Sequence, residues 1–253
     1  MSVGSPVRIA ARVGYRRKHV RPERATRALA LFVWAGFFCY LWFSGEVYRY
    51  LGPRTLWVVP FGAVTLALAC LAHLPLLLSE EPGERLSPRQ IGALIAIVAP
   101  VVGVVAVPSP ELGALAAGRK STGAAGVAGS FIAPVPDARG ELSFIDVHFA
   151  ESSEEYAATL GITGGTKLEL TGFVTHGPDL RPDQFELTRF YISCCAADAL
   201  PYSVAVEPAP GARDYPDDTW LEVSGSLERQ GDRWVLVASR LRETREPKDP
   251  YLS

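Results

Sequence analysis

The chain has 253 residues, a formal net charge of −2 and a hydrophobic fraction of 48%. Its 25 Lys and Arg residues balance 27 Asp and Glu residues, which excludes the basic composition of a nucleic-acid binder and any strongly acidic tail. Four cysteines are too few, and too unevenly placed, for a disulfide scaffold. Apolar residues are concentrated in the first 110 positions, and most carboxylates follow position 135. This distribution indicates that the first part of the chain is suited to lipid and the rest to water.

Three apolar segments, residues 28–45, 55–79 and 90–110, contain no Asp, Glu, Lys or Arg. Crossing ~30 Å of hydrocarbon takes about 20 helical residues, a length that the first segment only just reaches. We therefore predict a membrane region of three transmembrane helices within residues 28–110. The first could instead be a signal peptide, but no small-residue cleavage signal follows Phe43 and a second apolar segment begins almost at once, which favours a retained anchor.

Residues 1–27 form a basic amino terminus, with eight Lys or Arg residues against one acid, Glu23. The positive-inside rule places such a segment in the cytoplasm. With three spans, a cytoplasmic start gives an extracytoplasmic finish. The sequence therefore predicts a multi-pass plasma-membrane protein whose carboxyl-terminal domain lies outside the cytoplasm.

Residues 111–140 are rich in Gly, Ala, Ser and Pro, which predicts a flexible linker because such a segment buries little apolar surface. A separate domain is expected over residues 141–253. Near its start, Ser152 or Ser153 followed by Glu154 and Glu155 is typical of a helix amino terminus.

In the rest of this domain the sequence pattern predicts five short strands, at residues 167–174, 185–193, 203–207, 220–227 and 233–241. In the second strand the apolar residues change parity, which indicates either a bulge near Arg189 or burial on both faces. Gly172 and Gly225 suit the bends of a small closed barrel. Five strands predict a small all-β, OB-like barrel rather than an immunoglobulin sandwich, which usually has seven.

One segment of the barrel carries a candidate metal site, Cys194, Cys195 and Asp198. Two sulfur ligands and one oxygen ligand close together suit a thiophilic cation such as zinc. Three interpretations stay open: the cysteines are core residues, they form a strained vicinal disulfide, or they serve metal or redox chemistry. An extracytoplasmic thiol pair stays reduced only if it is buried or metallated. His148 and His176 are the nearest candidates by type to complete a tetrahedral site.

We expect no enzymatic activity and no catalytic residue, because the chain has no nucleophile-elbow, zinc-protease or phosphate-loop motif. An OB-like barrel can bind nucleic acid. The acidic composition of this domain and its predicted side of the membrane argue against that ligand.

Five groups of residues carry a resemblance to a known family. They are Ser44-Gly45 with Tyr50, Thr171-Gly172-Phe173-Val174, Arg189-Phe190 with Cys195-Ala196-Ala197-Asp198, Asp218-Thr219-Trp220 with Gly225-Ser226-Leu227, and Lys248-Asp249-Pro250-Tyr251. In these segments the chain resembles the YcgQ-like family of bacterial two-component permease accessory subunits. The resemblance implies a multi-spanning permease partner and a link to metal-ion homeostasis. Some members have a His-rich loop between the second and third spans, whereas residues 79–89 contain no His. We therefore do not infer from the resemblance that this chain collects metal ions on the cytoplasmic side.

The sequence thus predicts an accessory subunit of a membrane permease complex, whose extracytoplasmic domain binds or gates a metal ion or another substrate. Two alternatives are a purely structural docking module that stabilises the permease and an extracytoplasmic ligand-binding OB domain.

Overall fold

A computed structural model describes residues 19–79, 86–106, 112–124, 142–178 and 180–252. The chain divides into two compact units. The first comprises Met1–Tyr40 and Val59–Pro108, and the second comprises Leu41–Val58 and Ser109–Ser253. The second unit therefore contains both the carboxyl-terminal domain and the connector, residues 45–57, which joins the first two long helices.

Three long helices dominate the amino-terminal side, as predicted. They are α1 (Pro22–Ser44), α2 (Val58–His73), which a 3₁₀ turn continues over Leu74–Leu77, and α3 (Pro88–Ala106). Their mean hydropathies of 1.4, 1.8 and 2.0 make each long and apolar enough to cross a membrane. Helix α1 begins at Pro22, six residues earlier than its apolar segment, because proline is well suited to the first helical position. Residues 1–18 and 107–110 of the predicted regions lie outside the described residues.

Within the first unit the helices contact one another through few groups. The indole Nε1 of Trp34 donates to the carbonyl of Ile97 at 3.1 Å. Gly62 lets the ring of Phe38 approach, since a Cβ there would lie 3.2 Å from that ring. Two short strands, β1 (His19–Val20) and β2 (Leu78–Ser79), pair antiparallel. Most apolar side chains of the three helices remain exposed, as expected for helices that lipid or a partner covers.

The second unit contains a closed five-stranded barrel, which confirms the predicted OB-like class. Its strands are β3 (Thr166–Thr175), β4 (Phe185–Tyr191), β5 (Leu200–Glu207), β6 (Trp220–Gln230) and β7 (Arg233–Glu243). The order is β3-β6-β7-β5-β4, and β4 pairs with β3 to close the barrel. Strands β5 and β7 are parallel, and the other barrel pairs are antiparallel. A short strand β8 (Tyr251–Leu252) adds parallel to β4.

The parity change in the second predicted strand comes from burial on both faces. Strand β4 pairs with β5 in continuous register from Phe185 to Tyr191, so the alternative of a bulge near Arg189 is wrong. Leu187 points into the barrel core, whereas Phe190 belongs to a second apolar cluster with Phe173 and Tyr251. The register shift of the barrel instead lies in β6 at Ser224/Gly225, where a Cβ on Gly225 would stand 2.2 Å from the carbonyl oxygen of Val237.

Two helices precede the barrel and pack on its core. Helix α5 (Phe144–Ser152) begins at Ser143, whose side chain and that of Asp146 form a reciprocal capping box. Helix α6 (Glu154–Thr159) begins at Ser153, one of the two caps predicted. Helix α5 was not predicted, although the Ser143–Asp146 pair is a recognisable signal for the start of a helix.

The predicted linker, residues 111–140, is not irregular throughout. Helix α4 (Ala114–Ala124) occupies its first part, while residues 125–140 lie outside the described residues. Its Ala117 is buried against the second apolar cluster together with Phe173 and Phe190. The small side chains that suggested a linker therefore allow α4 to lie close to the barrel.

Candidate functional site

The candidate metal-ligating residues lie in the connection from β4 to β5. The chain leaves β4 at Tyr191, turns through Cys194 and Cys195, and forms a 3₁₀ helix over Ala196–Asp198 before β5 begins. We call this connection, residues 192–199, the cysteine turn. The predicted second strand, which extended to residue 193, therefore ends two residues earlier. Neighbouring side chains on a strand point to opposite faces, whereas a turn can bring them together without a bulge.

The carboxylate of Asp198 organises this turn. One oxygen accepts from the backbone N–H of Ser193 at 3.0 Å. The other accepts from the N–H groups of Cys194 at 2.9 Å and Cys195 at 3.4 Å. A carboxylate offers about four lone-pair positions, so three backbone donors still leave capacity for one further partner.

The two thiols lie beside this carboxylate and are not joined by a disulfide. Their Sγ atoms are 3.8 Å apart, far beyond the disulfide length of about 2.05 Å. Cys194 is exposed and Cys195 is partly exposed, so neither is a fully buried core residue. One ligand atom from each of Cys194, Cys195 and Asp198 lies within 4.8 Å of the others.

The charges of the turn favour an ionised carboxyl and a neutral thiol. Partial burial opposes ionisation of Asp198, but hydrogen bonds from the Cys194 thiol and from three backbone N–H groups outweigh it and lower its pKa. Hydrogen bonds to Asp198 and Cys195, followed by desolvation and the neighbouring negative charge, raise the pKa of Cys194 to about 11. The turn therefore holds a proton at neutral pH in the place where a cation could replace it.

The connector between α1 and α2 forms hydrogen bonds with the backbone of this turn. Leu51 forms an antiparallel bridge with Cys195, and the carbonyl of Tyr50 accepts from the N–H of Ala196 at 2.9 Å. The carbonyl of Cys194 accepts from the Gly52 N–H at 3.1 Å and from the Thr55 hydroxyl at 2.6 Å. The backbone of the turn is thus fixed by residues about 140 positions earlier in the chain.

Helix α4 contributes a cation to the same turn. Lys120 donates from Nζ to the carbonyls of Ala199 at 2.8 Å, Ala197 at 3.3 Å and Ala196 at 3.5 Å. An ammonium group is well placed at the carboxyl-terminal end of a helical turn, where unpaired carbonyls carry partial negative charge. The contacts of Lys120 and the connector with this turn were not predicted, because neither adjoins the cysteines in the sequence.

The two histidines considered as additional ligands have other surroundings. His176 pairs through Nδ1 with the carboxylate of Asp217 at 2.8 Å. His148 packs edge-on against Phe149 and Tyr202, and burial lowers its pKa. Among the described residues, the group of three or more potential ligands contains Cys194, Cys195 and Asp198 and neither histidine.

Replacing the Asp198 carboxylate should change the reactivity of the Cys194 thiol. In a Cys195→Ser background, Asp198→Asn removes the charge and the strongest acceptor beside Cys194, so its thiol pKa should fall toward the ordinary value. Alkylation of Cys194 by iodoacetamide at pH 8.5, followed by mass spectrometry, should accelerate about tenfold or more. An unchanged rate would show that Asp198 does not control this thiol.

The chain is similar to a known domain family and to a bacterial protein. Residues 133–252 match the DUF1980 C-terminal domain. The chain is 28% identical over 118 residues to the UPF0703 protein YcgQ of Bacillus subtilis (strain 168). That alignment covers 44% of this chain and 41% of the relative, so the chain matches less than half the relative's length. The family match and the fold agree: the carboxyl-terminal domain of this chain matches the DUF1980 C-terminal domain, and the chain is similar to the YcgQ protein.

Proposed function

We propose that this protein is the accessory subunit of a membrane permease complex and that Cys194, Cys195 and Asp198 hold a soft divalent cation such as zinc. The observation that carries the cation proposal is the 3.8 Å between the two Sγ atoms. Two thiolates bound to zinc at about 2.3 Å in tetrahedral geometry stand about 3.8 Å apart. The two sulfur donors therefore have the required separation before any cation arrives.

The arrangement suits reversible binding more than a structural role. Structural zinc sites use four protein ligands, whereas the turn supplies three and leaves one position for water or for a ligand from a partner. All three ligands come from five consecutive residues at the surface, which favours rapid access. Backbone hydrogen bonds to Asp198 orient the carboxylate in the way that outer hydrogen bonds orient metal ligands.

The predicted compartment also favours a bound cation. Exposed neighbouring thiols in an oxidising compartment are oxidised unless something protects them. The exposure of Cys194 removes burial as its protection. A cation that binds both thiolates would supply that protection.

Contacts within the second unit support the proposed topology. The connector that precedes α2 bonds to the barrel that follows α3, so both lie on one side of any membrane that the helices cross. Two crossings, by α2 and α3, return the chain to the side from which it left. Together with the basic residues before α1, this supports an extracytoplasmic position for the connector and the barrel.

Reporter fusions test this topology. Alkaline phosphatase, which is active only outside the cytoplasm, should be active when fused after Ser253 and also when inserted after Pro53 in the connector. A fluorescent cytoplasmic reporter should be dark at the first site. Phosphatase activity at one site and not the other would contradict the two-crossing arrangement.

Metal analysis tests the cation. Full-length protein purified in detergent and dialysed against zinc at pH 8 should retain about one zinc ion per chain. Cys195→Ser and Asp198→Asn should each reduce the affinity at least tenfold, because a hydroxyl and an amide are poor ligands for a soft cation. Between pH 6 and 8, the apparent affinity should rise about tenfold per pH unit for each thiol proton released.

Cys70→Ser is the matched control, since Cys70 lies in α2 and donates to the carbonyl of Ala28 rather than joining the turn. It should leave the zinc content unchanged. Protein without zinc at pH 8, or equal losses in Cys70→Ser and Cys195→Ser, would reject the cation site.

Helix α3 supports a permease partner. Gly92 and Gly103 are eleven residues apart, about three helical turns, so they share one face. Apart from the chain neighbours of each glycine and the adjoining backbone of α3 itself, no described residue lies within 4 Å of the position that a Cβ would take there. Small residues on an unoccupied face allow close approach of another membrane helix.

A double variant tests this contact. Gly92→Leu with Gly103→Leu should abolish co-purification of a multi-spanning permease from native membranes by adding bulk to the shared face. Ile95→Leu, which conserves size at an exposed position of the same helix, should retain it. A protein that purifies alone without any substitution would refute the accessory-subunit proposal.

A structural docking module is the second candidate, and the backbone contact between connector and turn favours it. That contact uses backbone N–H and carbonyl groups and the Thr55 hydroxyl, and neither thiol, so it forms with or without a cation. A module of this kind would retain the permease in the Cys194→Ser/Cys195→Ser variant.

A further inference from the structure

A cavity of about 300 Å³ lies beside the cysteine turn, within the second unit. Ala196 and Ala197, which separate Cys195 from Asp198, form part of its wall. Five aromatic side chains supply much of the remaining lining: Tyr50, Phe173, Phe190, Trp220 and Tyr251. Residues from the connector, three barrel strands and the carboxyl-terminal segment therefore meet around one space.

The aromatic wall is held in place by the sheet. Phe173 is the register partner of Trp220, and Phe190 is the register partner of Tyr251. The rings of Phe173 and Phe190 stack with centroids 5.8 Å apart, and Trp220 meets Phe173 edge-on at 5.6 Å. Side chains fixed by strand pairing lose little further freedom when a ligand binds, which favours affinity.

One part of the lining is polar. Arg49 and Glu246 form an ion pair at 3.1 Å, and the hydroxyl of Tyr251 donates to the carbonyl of Arg49 at 2.9 Å. The pair carries no net charge, so it favours a neutral hydrogen-bonding group over a free charge. Burial, and then the negative charge of Glu246, raise the pKa of Tyr251 to about 12, so its hydroxyl remains a donor at neutral pH.

We propose that this cavity is a binding site for a small neutral aromatic molecule that carries one hydrogen-bonding group. Its volume is at the lower end of the range for small-molecule sites, and its mostly apolar lining with a few polar groups is typical of them. Aromatic walls prefer an aromatic occupant, because stacked and edge-on ring pairs add to the effect of apolar burial. The site is separate from the cation site and goes beyond the proposed function.

Two compounds of matched size test the aromatic preference. The probe is p-cresol, and the control is 4-methylcyclohexanol, which has the same heavy atoms but no π system. Isothermal titration into the full-length protein in detergent, corrected with protein-free micelles, should give a Kd on the order of 1 mM for p-cresol. The saturated alcohol should bind at least fivefold more weakly.

Variants that fill the cavity test its location. Leu112→Trp and Ala197→Phe each add bulk to its lining and should weaken p-cresol binding at least tenfold. Ala212→Phe, at an exposed alanine outside the lining, should bind p-cresol as the unmodified chain does. Circular dichroism and thermal unfolding establish that each variant is folded, and either filling variant alone suffices.

Three results would overturn the proposal. The first is p-cresol uptake no greater than that of protein-free micelles. The second is equal binding by Ala197→Phe, Leu112→Trp and the unmodified chain. The third is equal affinity for the aromatic and the saturated alcohol, which would show that the cavity selects only for apolar volume. The zinc content of the protein is independent of all three.

Discussion

The backbone contact between the connector and the cysteine turn is the constraint on which the rest of the second unit depends. It favours glycine at position 52, because a Cβ there would lie only 3.0 Å from the carbonyl oxygens of both Ile192 and Ser193. Without it, the β4–β5 connection would be a surface turn with free backbone groups. With it, the cysteine turn has a fixed conformation, the cavity gains Arg49 and Tyr50 in its wall, and the connector joins the barrel.

Asp198 has a structural role and a chemical one in the same turn. Its carboxylate satisfies three backbone donors that would otherwise be unpaired, and its charge keeps the Cys194 thiol protonated. Reactive cysteines have the opposite environment, in which positive charge lowers the thiol pKa. A neutral thiol beside a fixed carboxylate is poorly suited to nucleophilic attack.

The barrel shows why an OB-like fold does not by itself indicate a nucleic-acid ligand. Proteins of this fold bind oligonucleotides through exposed strand faces and loops, often by stacking bases on aromatic rings. Here Phe173 and Phe190 are almost fully buried outside the barrel core, in a cluster that includes Ala117 of α4 and Tyr251 of β8. The chain covers its own aromatic surface and leaves a cavity of small-molecule size. Function must therefore be argued from that space and from the turn rather than from the fold.

Sequence alone determined the features that follow from local pattern. Apolar length predicted the three long helices, and alternation predicted five strands whose observed bounds differ from those expected by at most three residues. Cys194, Cys195 and Asp198 were identifiable because they are close in sequence, and one tight turn brings their ligand atoms together.

Tertiary structure decided what depends on distant contacts. It showed that the parity change in β4 reflects a second buried face, that part of the presumed linker is the helix α4, and that residues 50–55 bind the turn. Local composition could not reveal these features, because a Gly- and Ala-rich segment looks the same whether it is free or packed closely on a barrel. The cavity likewise exists only where the connector, β3, β4, β6 and the carboxyl terminus meet, and no pattern along the chain encodes that meeting.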